Sequence, residues 1–325
     1  MCGPGIINEQ SRNLIAAQAA KFREITMSPF GPDDEIGMLN LISAEKSREV
    51  MRAADGGAAI DLSVDYFIGM PSWTKAGDPG FQQWMTHTPA GTVLDDITGV
   101  GVDQNHLVAY SGDAMSMYTH CGTHIDTLNH FGYHGKIFNG YEAAQCISSR
   151  HWIKCGADKF PPIITRGVLF DIAGLHGVDV LPDNYGIGAK DLADALKRQN
   201  VEFHPGDVAL VRTGRMRYWP DSDRYIDDAP GLNRAGAEFL AQAGAAVIGG
   251  DNLALEQSPS PDAENWQVVH TYLLAEAGVP IMEVVDCEIL AAERLYEFAF
   301  IGACMKVRGA TGAPMRPLAM PLLSR

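Results

Sequence analysis

The chain has 325 residues, 46% of them hydrophobic and 20% charged, which is typical of a globular protein with one large core or two modest ones. Its formal net charge of −15 is not offset by any basic stripe, so we expect no nucleic-acid partner. No run approaches the ~18 consecutive apolar residues of a membrane span, and the first residues lack a secretory pattern. We therefore expect a cytoplasmic protein with no membrane partner.

The beginning of the chain has helical spacing. Residues 9–24 and 44–54 each place apolar side chains at helical intervals, and Ser43 stands where it would cap the second helix. No linker or repeat divides the remainder of the chain. We predict a helical extension over residues 1–57 and one domain over residues 58–325.

The pattern changes to short strands and turns over residues 58–118. Runs of two-residue alternation, AIDLSVDYF (59–67) and GTVLDDITGVGV (91–102), are separated by glycine and proline. Such runs predict strands joined by loops.

Residues 69–85 form a predicted loop that is rich in aromatic side chains. It carries Trp73, Phe81 and Trp84. Two interpretations stay open, a loop held to the core by its rings and a lid over a ligand. On the second interpretation the three rings are substrate-binding residues.

Further along, apolar runs alternate with helical stretches. The runs at 167–174, 206–214 and 245–251 have the composition of strands buried on both faces. Helical patterns at 190–200 and 232–244 lie between them. This alternation predicts an α/β architecture in which at least part of the sheet is parallel.

The segment HCGTHIDTLNH, residues 120–130, concentrates polar groups that can bind a metal. Its β-branched residues favour an extended conformation, in which His120, His124 and Asp126 share one face. Gly122, between the two histidines, would leave room for an ion or substrate. Three buried polar groups on one face would each cost roughly 1–3 kcal/mol if left without partners, and a metal ion supplies one partner for all three.

A metal site of this kind can perform hydrolysis. A bound divalent ion activates water near neutral pH and polarises a carbonyl. His130, just past the extended run, is placed to act as a base, although it could instead orient one of the ligands. The six cysteines include no CxxC pair, so nitrogen and oxygen ligands are expected, and these suit Zn²⁺ or Mn²⁺.

Other interpretations of the same residues remain. No G-x-S-x-G elbow, P-loop, helical H-E-x-x-H motif or dinucleotide fingerprint occurs. His124, Asp126 and the distant His270 have the outline of the 2-His-1-carboxylate site of non-haem iron oxygenases. A protein that binds a metal or ligand without turnover is the third alternative.

The segment resembles the H-x-G-T-H-x-D-x-P-x-H motif of the metal-dependent cyclase-like hydrolases, a family that includes bacterial kynurenine formamidase, isatin hydrolase and a trans-dienelactone hydrolase. The sequence departs from the motif at Leu128, where the formamidases have proline. The stretches IDLSVDYFIGMP, GDVALVRTG, IGGDN and VVHTYLLAEAGVPIMEVVD occur in the family's order, so the resemblance extends over most of the chain.

The resemblance implies a set of roles. His120, His124 and Asp126 would bind a first metal ion, and Asp126 with His270 and Glu283 a second where two are used. His130 would be the general base or acid. The implied fold is the family's swivelling β/β/α domain, in a homodimer or homotetramer. Because long-form relatives carry extra helices, we predict an interface at the N-terminal extension, which a gel-filtration mass of one 35.1 kDa chain would contradict.

The leading hypothesis is a metal-dependent hydrolase with one or two ions per subunit that opens a small amide, imide or lactone. Metal-activated water would attack the carbonyl, and His130 would move the proton. Kynurenine formamidase proper is the nearest alternative.

Overall fold

The computed structural model of the protein describes residue 25 and residues 27–323. A nine-stranded mixed sheet, in the order β1-β13-β11-β5-β7-β9-β10-β4-β12, forms its centre, and β2 with β3 and β6 with β8 form two small pairs. In chain order the strands of the described residues are β1 (Ile60–Asp61), β2 (Gln82–His87), β3 (Gly112–Ser116), β4 (His124–Asp126), β5 (Ile163–Asp171), β6 (Gly186–Ile187), β7 (Val208–Arg212), β8 (Gly231–Leu232), β9 (Val247–Gly250), β10 (Ile281–Glu283), β11 (Glu297–Gly302), β12 (Gly312–Pro314) and β13 (Leu318–Pro321).

Helices surround this sheet. Those of the described residues are α1 (Ala44–Ala53), α2 (Pro89–Asp95), α3 (Val102–Asn105), α4 (Ala143–Cys146), α5 (Ile172–His176), α6 (Ala189–Gln199), α7 (Ser222–Ile226), α8 (Arg234–Gln242), α9 (Val268–His270) and α10 (Glu288–Ala292). Short 3₁₀ turns occupy Gly37–Leu41, Thr74–Ala76, Phe138–Gly140, Ala157–Lys159 and Arg215–Tyr218, and a π-helical segment, Thr271–Ala277, follows α9. None of the helices in the described part of the chain is long and apolar enough to cross a membrane.

The middle of the sheet is parallel. β5, β7, β9 and β10 pair in parallel, whereas the strands outside them pair in antiparallel fashion. Every residue of β7 and β9 is buried, which explains their unbroken apolar sequences. The predicted α/β class and the partly parallel sheet are confirmed.

Helix α1 begins as the sequence predicts. The Ser43 hydroxyl accepts a hydrogen bond from the backbone N–H of Lys46, so Ser43 is the N-cap. The helix packs against β5 and β11, and Ala54 forms a β-bridge with Leu322. The helix predicted over 9–24 lies outside the described residues, and the division of the chain at residue 57 stays a prediction.

The strand predicted within residues 91–102 is wrong. That stretch contains most of α2 and the loop to α3. Pro89 opens α2, and the side chain of Thr88 accepts a hydrogen bond from the N–H of Gly91. Proline at the first turn and a threonine cap favour a helix, and this local capping prevails over the two-residue alternation.

Two other boundaries differ from the prediction. In the stretch 59–67 only Ile60 and Asp61 pair with another strand, and the predicted loop 69–85 ends inside β2. The pair of β2 and β3 is largely exposed, with few neighbours to hold it. The cysteines that the structure describes are all free thiols.

Candidate metal centre

The segment that carries the first histidines is a turn followed by a short strand. Residues 120–123 are not paired, and β4 begins only at His124, so the extended conformation predicted for 120–127 is wrong for its first half. Gly122 adopts φ +60°, and a β-carbon there would lie 2.6 Å from the ring of Tyr66. Glycine is therefore required by the turn and by the tyrosine, and not by the approach of an ion.

The turn nevertheless brings three ligand groups together. His120, His124 and Asp126 are buried, and their nitrogen and oxygen atoms lie within 4.8 Å of one another. His120 Nδ1 is 2.6 Å from Asp126 Oδ1, and His124 Nε2 is 3.3 Å from the same oxygen. We call these three residues the first triad.

A second triad is completed by the far end of the chain. Strand β10 pairs with β4 so that Glu283 lies opposite His124, and α9 supplies His270. His270 Nε2 is 3.1 Å from Glu283 Oε1 and 3.6 Å from Asp126 Oδ2. Asp126, His270 and Glu283 form the second triad, so the Asp126 carboxylate belongs to both.

The donor atoms fit a divalent cation. His124 Nε2 and Asp126 Oδ2 are buried without a hydrogen-bond partner, and His124 Nε2 also lies 3.2 Å from Glu283 Oε2. Burying such atoms without a partner costs free energy, and a cation bound among the two triads would provide that partner. The set contains nitrogen and oxygen and no thiolate, which suits Zn²⁺ or Mn²⁺.

The electrostatics of the group reflect its carboxylates. Burial by itself lowers the pKa of His124, but the adjacent carboxylates of Asp126 and Glu283 outweigh it and raise that pKa to about 10. Burial likewise acts to raise the pKa of Asp126, yet the neighbouring imidazoles, His120 first among them, hold it well below its usual range. The buried carboxylates therefore stabilise positive charge, whether a proton or a metal ion carries it.

His130 lies beside the two triads without belonging to either. Its ring stacks on that of His120 at a centroid distance of 3.9 Å, and its Nε2 is 3.7 Å from Asp126 Oδ2. Its side chain is 18% exposed. Burial and the neighbouring histidines His120 and His270 hold the pKa of His130 well below its usual value, although Asp126 opposes this effect. A neutral, partly accessible imidazole can accept a proton.

Groups behind the ligand histidines orient their rings. The Thr311 hydroxyl lies 2.9 Å from His120 Nε2, and the carbonyl oxygen of Gly122 lies 2.8 Å from His124 Nδ1. The Glu256 carboxylate lies 2.5 Å from His270 Nδ1. Neither Thr311 nor Glu256 was predicted from the sequence. Thr311 is 191 residues from His120 and Glu256 is 14 residues from His270, and only the fold brings each side chain against its histidine.

The structure places the three predicted substrate-binding rings in different surroundings. Phe81 is buried against Tyr66, Trp73 packs beside the cluster around Tyr225, and Trp84 lies 52% exposed on β2. Among the described residues, none of the three rings contacts the ring of a ligand histidine. Their role as substrate-binding residues stays a prediction.

A different pair of aromatic rings borders the centre. The Phe131 ring lies 4.7 Å from that of His130 and 5.0 Å from that of His270, measured between centroids. Trp266 follows at 5.7 Å from Phe131 and is 73% exposed. The position of Phe131 directly after His130 was the one available signal in the sequence. Trp266 gave no such signal, because its neighbour Phe131 is 135 residues away along the chain.

Comparison with protein families places these observations in context. A family model described as putative cyclase matches residues 60–257, more than half of the chain. The matched part includes His120, His124, Asp126 and Glu256. No curated protein matches the sequence.

Solved structures share the fold. The chain is similar to a novel cyclase at 26% identity and a TM-score of 0.80, covering 91% of this chain and all of that one. It is similar to isatin hydrolase A from Ralstonia solanacearum at 16% identity and a TM-score of 0.60, covering 81% and 92%. A predicted metal-dependent hydrolase from Bacillus stearothermophilus has 19% identity and a TM-score of 0.50, covering 81% and 97%.

Proposed function

Because this chain belongs to the putative cyclase family and buries a group of histidine and carboxylate side chains, we propose that it is a metal-dependent hydrolase that opens a small amide, imide or lactone. The isatin hydrolase and the predicted metal-dependent hydrolase among the structural neighbours support this reaction class.

One observation carries the proposal. Two triads share the carboxylate of Asp126, and a histidine that is not needed as a ligand, His130, stands 3.7 Å from the same carboxylate. A site that only stored a metal would have no use for a partly exposed imidazole at that position. Hydrolysis needs an acid or base there.

Each group at the centre has its own task in this reaction. The two triads would hold a divalent ion, which would supply the acidity needed to activate water and polarise a carbonyl. His130 Nε2 takes the proton of the attacking water and returns it to the departing nitrogen or oxygen. His120, stacked on His130, and Phe131, in a T-shaped contact with it, keep the imidazole in place.

The surroundings favour a flat, apolar substrate. Phe131 and Trp266 extend from the two histidines His130 and His270 toward solvent. Aromatic rings bind planar groups by stacking and by burying their surface. We propose that the substrate lies on the rings of Phe131 and Trp266 and not on the loop 69–85.

Metal analysis combined with a substrate panel tests the proposal. The purified protein would be assayed for zinc and manganese and for ring opening of isatin and a dienelactone and hydrolysis of N-formylkynurenine, before and after chelation. We expect bound metal and chelator-sensitive hydrolysis of at least one compound. A protein that binds no metal and stays inactive when zinc or manganese is added would contradict the proposal.

The same panel separates the alternatives. Preference for N-formylkynurenine would identify a kynurenine formamidase. Dependence on oxygen and ferrous iron would instead indicate the oxygenase with His124, Asp126 and His270. We favour hydrolysis because His120 and Glu283 add two further protein groups to those three, whereas such oxygenases keep several positions on the metal open.

A further inference from the structure

The ligand histidines of the two triads are held by different kinds of partner. In the first triad, the ring of His124 donates from Nδ1 to a neutral backbone carbonyl, that of Gly122. In the second triad, the ring of His270 faces the carboxylate of Glu256. Glu256 is 2% exposed, and its carboxylate forms no hydrogen bond or ion pair with a residue of the first triad within the described residues. Its influence is therefore directed at one triad.

The carboxylate of Glu256 is surrounded by donors. It accepts hydrogen bonds from the backbone N–H groups of Val269, at 3.2 Å, and His270, at 3.1 Å, and it lies 2.5 Å from His270 Nδ1. A carboxylate in this setting can only accept, so the proton of the His270 ring belongs on Nδ1. The lone pair of Nε2 is then directed at Asp126 and Glu283.

We propose that Glu256 is a positioning residue that fixes the tautomer of His270 and thereby determines whether the second triad binds its ion. This inference rests on the proposed function. A lone pair at Nε2 facing two carboxylates is repulsive unless a proton or a metal ion lies between them, and a metal ion is the one that both carboxylates can bind together with Nε2. A carboxylate behind the ring also makes the imidazole a stronger ligand, and removal of such partners typically costs about 10–100-fold in metal affinity.

Calorimetric titration of ZnCl₂ into chelator-stripped protein tests the inference. We expect two equivalents in the natural protein. In Glu256→Ala the first equivalent should bind with unchanged affinity and the second about 10–100-fold more weakly. Glu256→Gln keeps an oxygen toward Nδ1 but removes the charge. Its affinity for the second equivalent should lie between those of the natural protein and of Glu256→Ala.

Glu276→Gln is the matched control. Glu276 is also buried, lies six residues after His270 and pairs with Arg234 at 3.3 Å, away from both triads. The Glu276→Gln variant should bind two equivalents of zinc, as the natural protein does. A general loss of folding in the Glu256 variants would weaken both equivalents together, and circular dichroism would reveal it.

Nitrogen NMR of the zinc-loaded natural protein provides a test that needs no change at Glu256. The His270 signal, assigned by its loss in His270→Asn, should show a proton on Nδ1. A proton on Nε2, a single zinc equivalent in the natural protein, or two unchanged equivalents in Glu256→Ala would each overturn the inference. The last two results are compatible with the proposed hydrolase function. A natural protein that binds no zinc or manganese would contradict that function itself.

Discussion

At the scale of single residues, His130 has the position of a base and not that of a metal ligand. Its Nε2 is 3.7 Å from Asp126, and its ring has no hydrogen bond to another described residue. His130→Ala should therefore leave the metal content unchanged and lower turnover by about 10²–10⁴-fold, the usual contribution of general acid–base catalysis. Elemental analysis and steady-state kinetics measure the two quantities.

His134→Ala is the control for this variant, because His134 is exposed in the same loop and its ring contacts only Tyr133 among the described residues. It should retain full activity. If His130→Ala lost its metal, His130 would be a ligand or a support for one, and the assigned role would be wrong.

Asp126 is the residue on which both triads depend. Asn at this position would remove the charge that faces His120, His124 and His270. We expect Asp126→Asn to lose both ions and to lower turnover at least as much as His130→Ala, by about 10²–10⁴-fold or more. Asp113→Asn, on the exposed strand β3, should behave like the natural protein. Retention of two zinc equivalents by Asp126→Asn would show that the carboxylate is not shared.

At the scale of elements, the turn before β4 can be tested through its glycine. Gly122 and Gly135 both have positive φ, but a β-carbon at Gly122 would meet Tyr66 at 2.6 Å, whereas one at Gly135 would meet nothing within 4 Å. Alanine at either position should cost about 1–2 kcal/mol for the left-handed backbone. At Gly122 a further cost of about 1–3 kcal/mol is expected from overpacking.

Urea unfolding of the two metal-free variants compares these costs directly. The free energy of unfolding should fall further in Gly122→Ala than in Gly135→Ala. Equal losses would mean that Tyr66 moves aside without cost and that only the backbone requires glycine in this turn.

At the scale of the whole molecule, the metal centre joins distant parts of the chain. The proposed ligands come from the turn before β4, from β4 itself, from α9 and from β10, so an ion that they bind in the native protein would also stabilise the fold. Free zinc at about 1,000 times its dissociation constant should raise the free energy of unfolding by about 4 kcal/mol, provided that the unfolded chain does not bind it. Thermal unfolding with and without chelator measures this effect. The expected shift should vanish in Asp126→Asn, and a melting temperature that zinc leaves unchanged in the natural protein would contradict the expectation.

Much of the architecture follows from local sequence. The apolar runs that form β5, β7 and β9 are buried, so their composition alone indicates parallel strands in the middle of a sheet. Residues 91–102 show where such a pattern misleads. Their alternation predicts strands, but the capping signals at Thr88 and Pro89 decide the local structure in favour of a helix.

The sequence by itself determined the first triad and His130, because these groups lie within eleven consecutive residues and a short turn is enough to bring them together. Glu283 and the pairing of His270 with it were implied only by the family resemblance, and Glu256, Thr311 and Trp266 were not inferred at all. The tertiary structure alone decided these positions. The pairing of β4 with β10 and the docking of α9 place groups more than a hundred residues apart around one carboxylate, and no local pattern encodes that register.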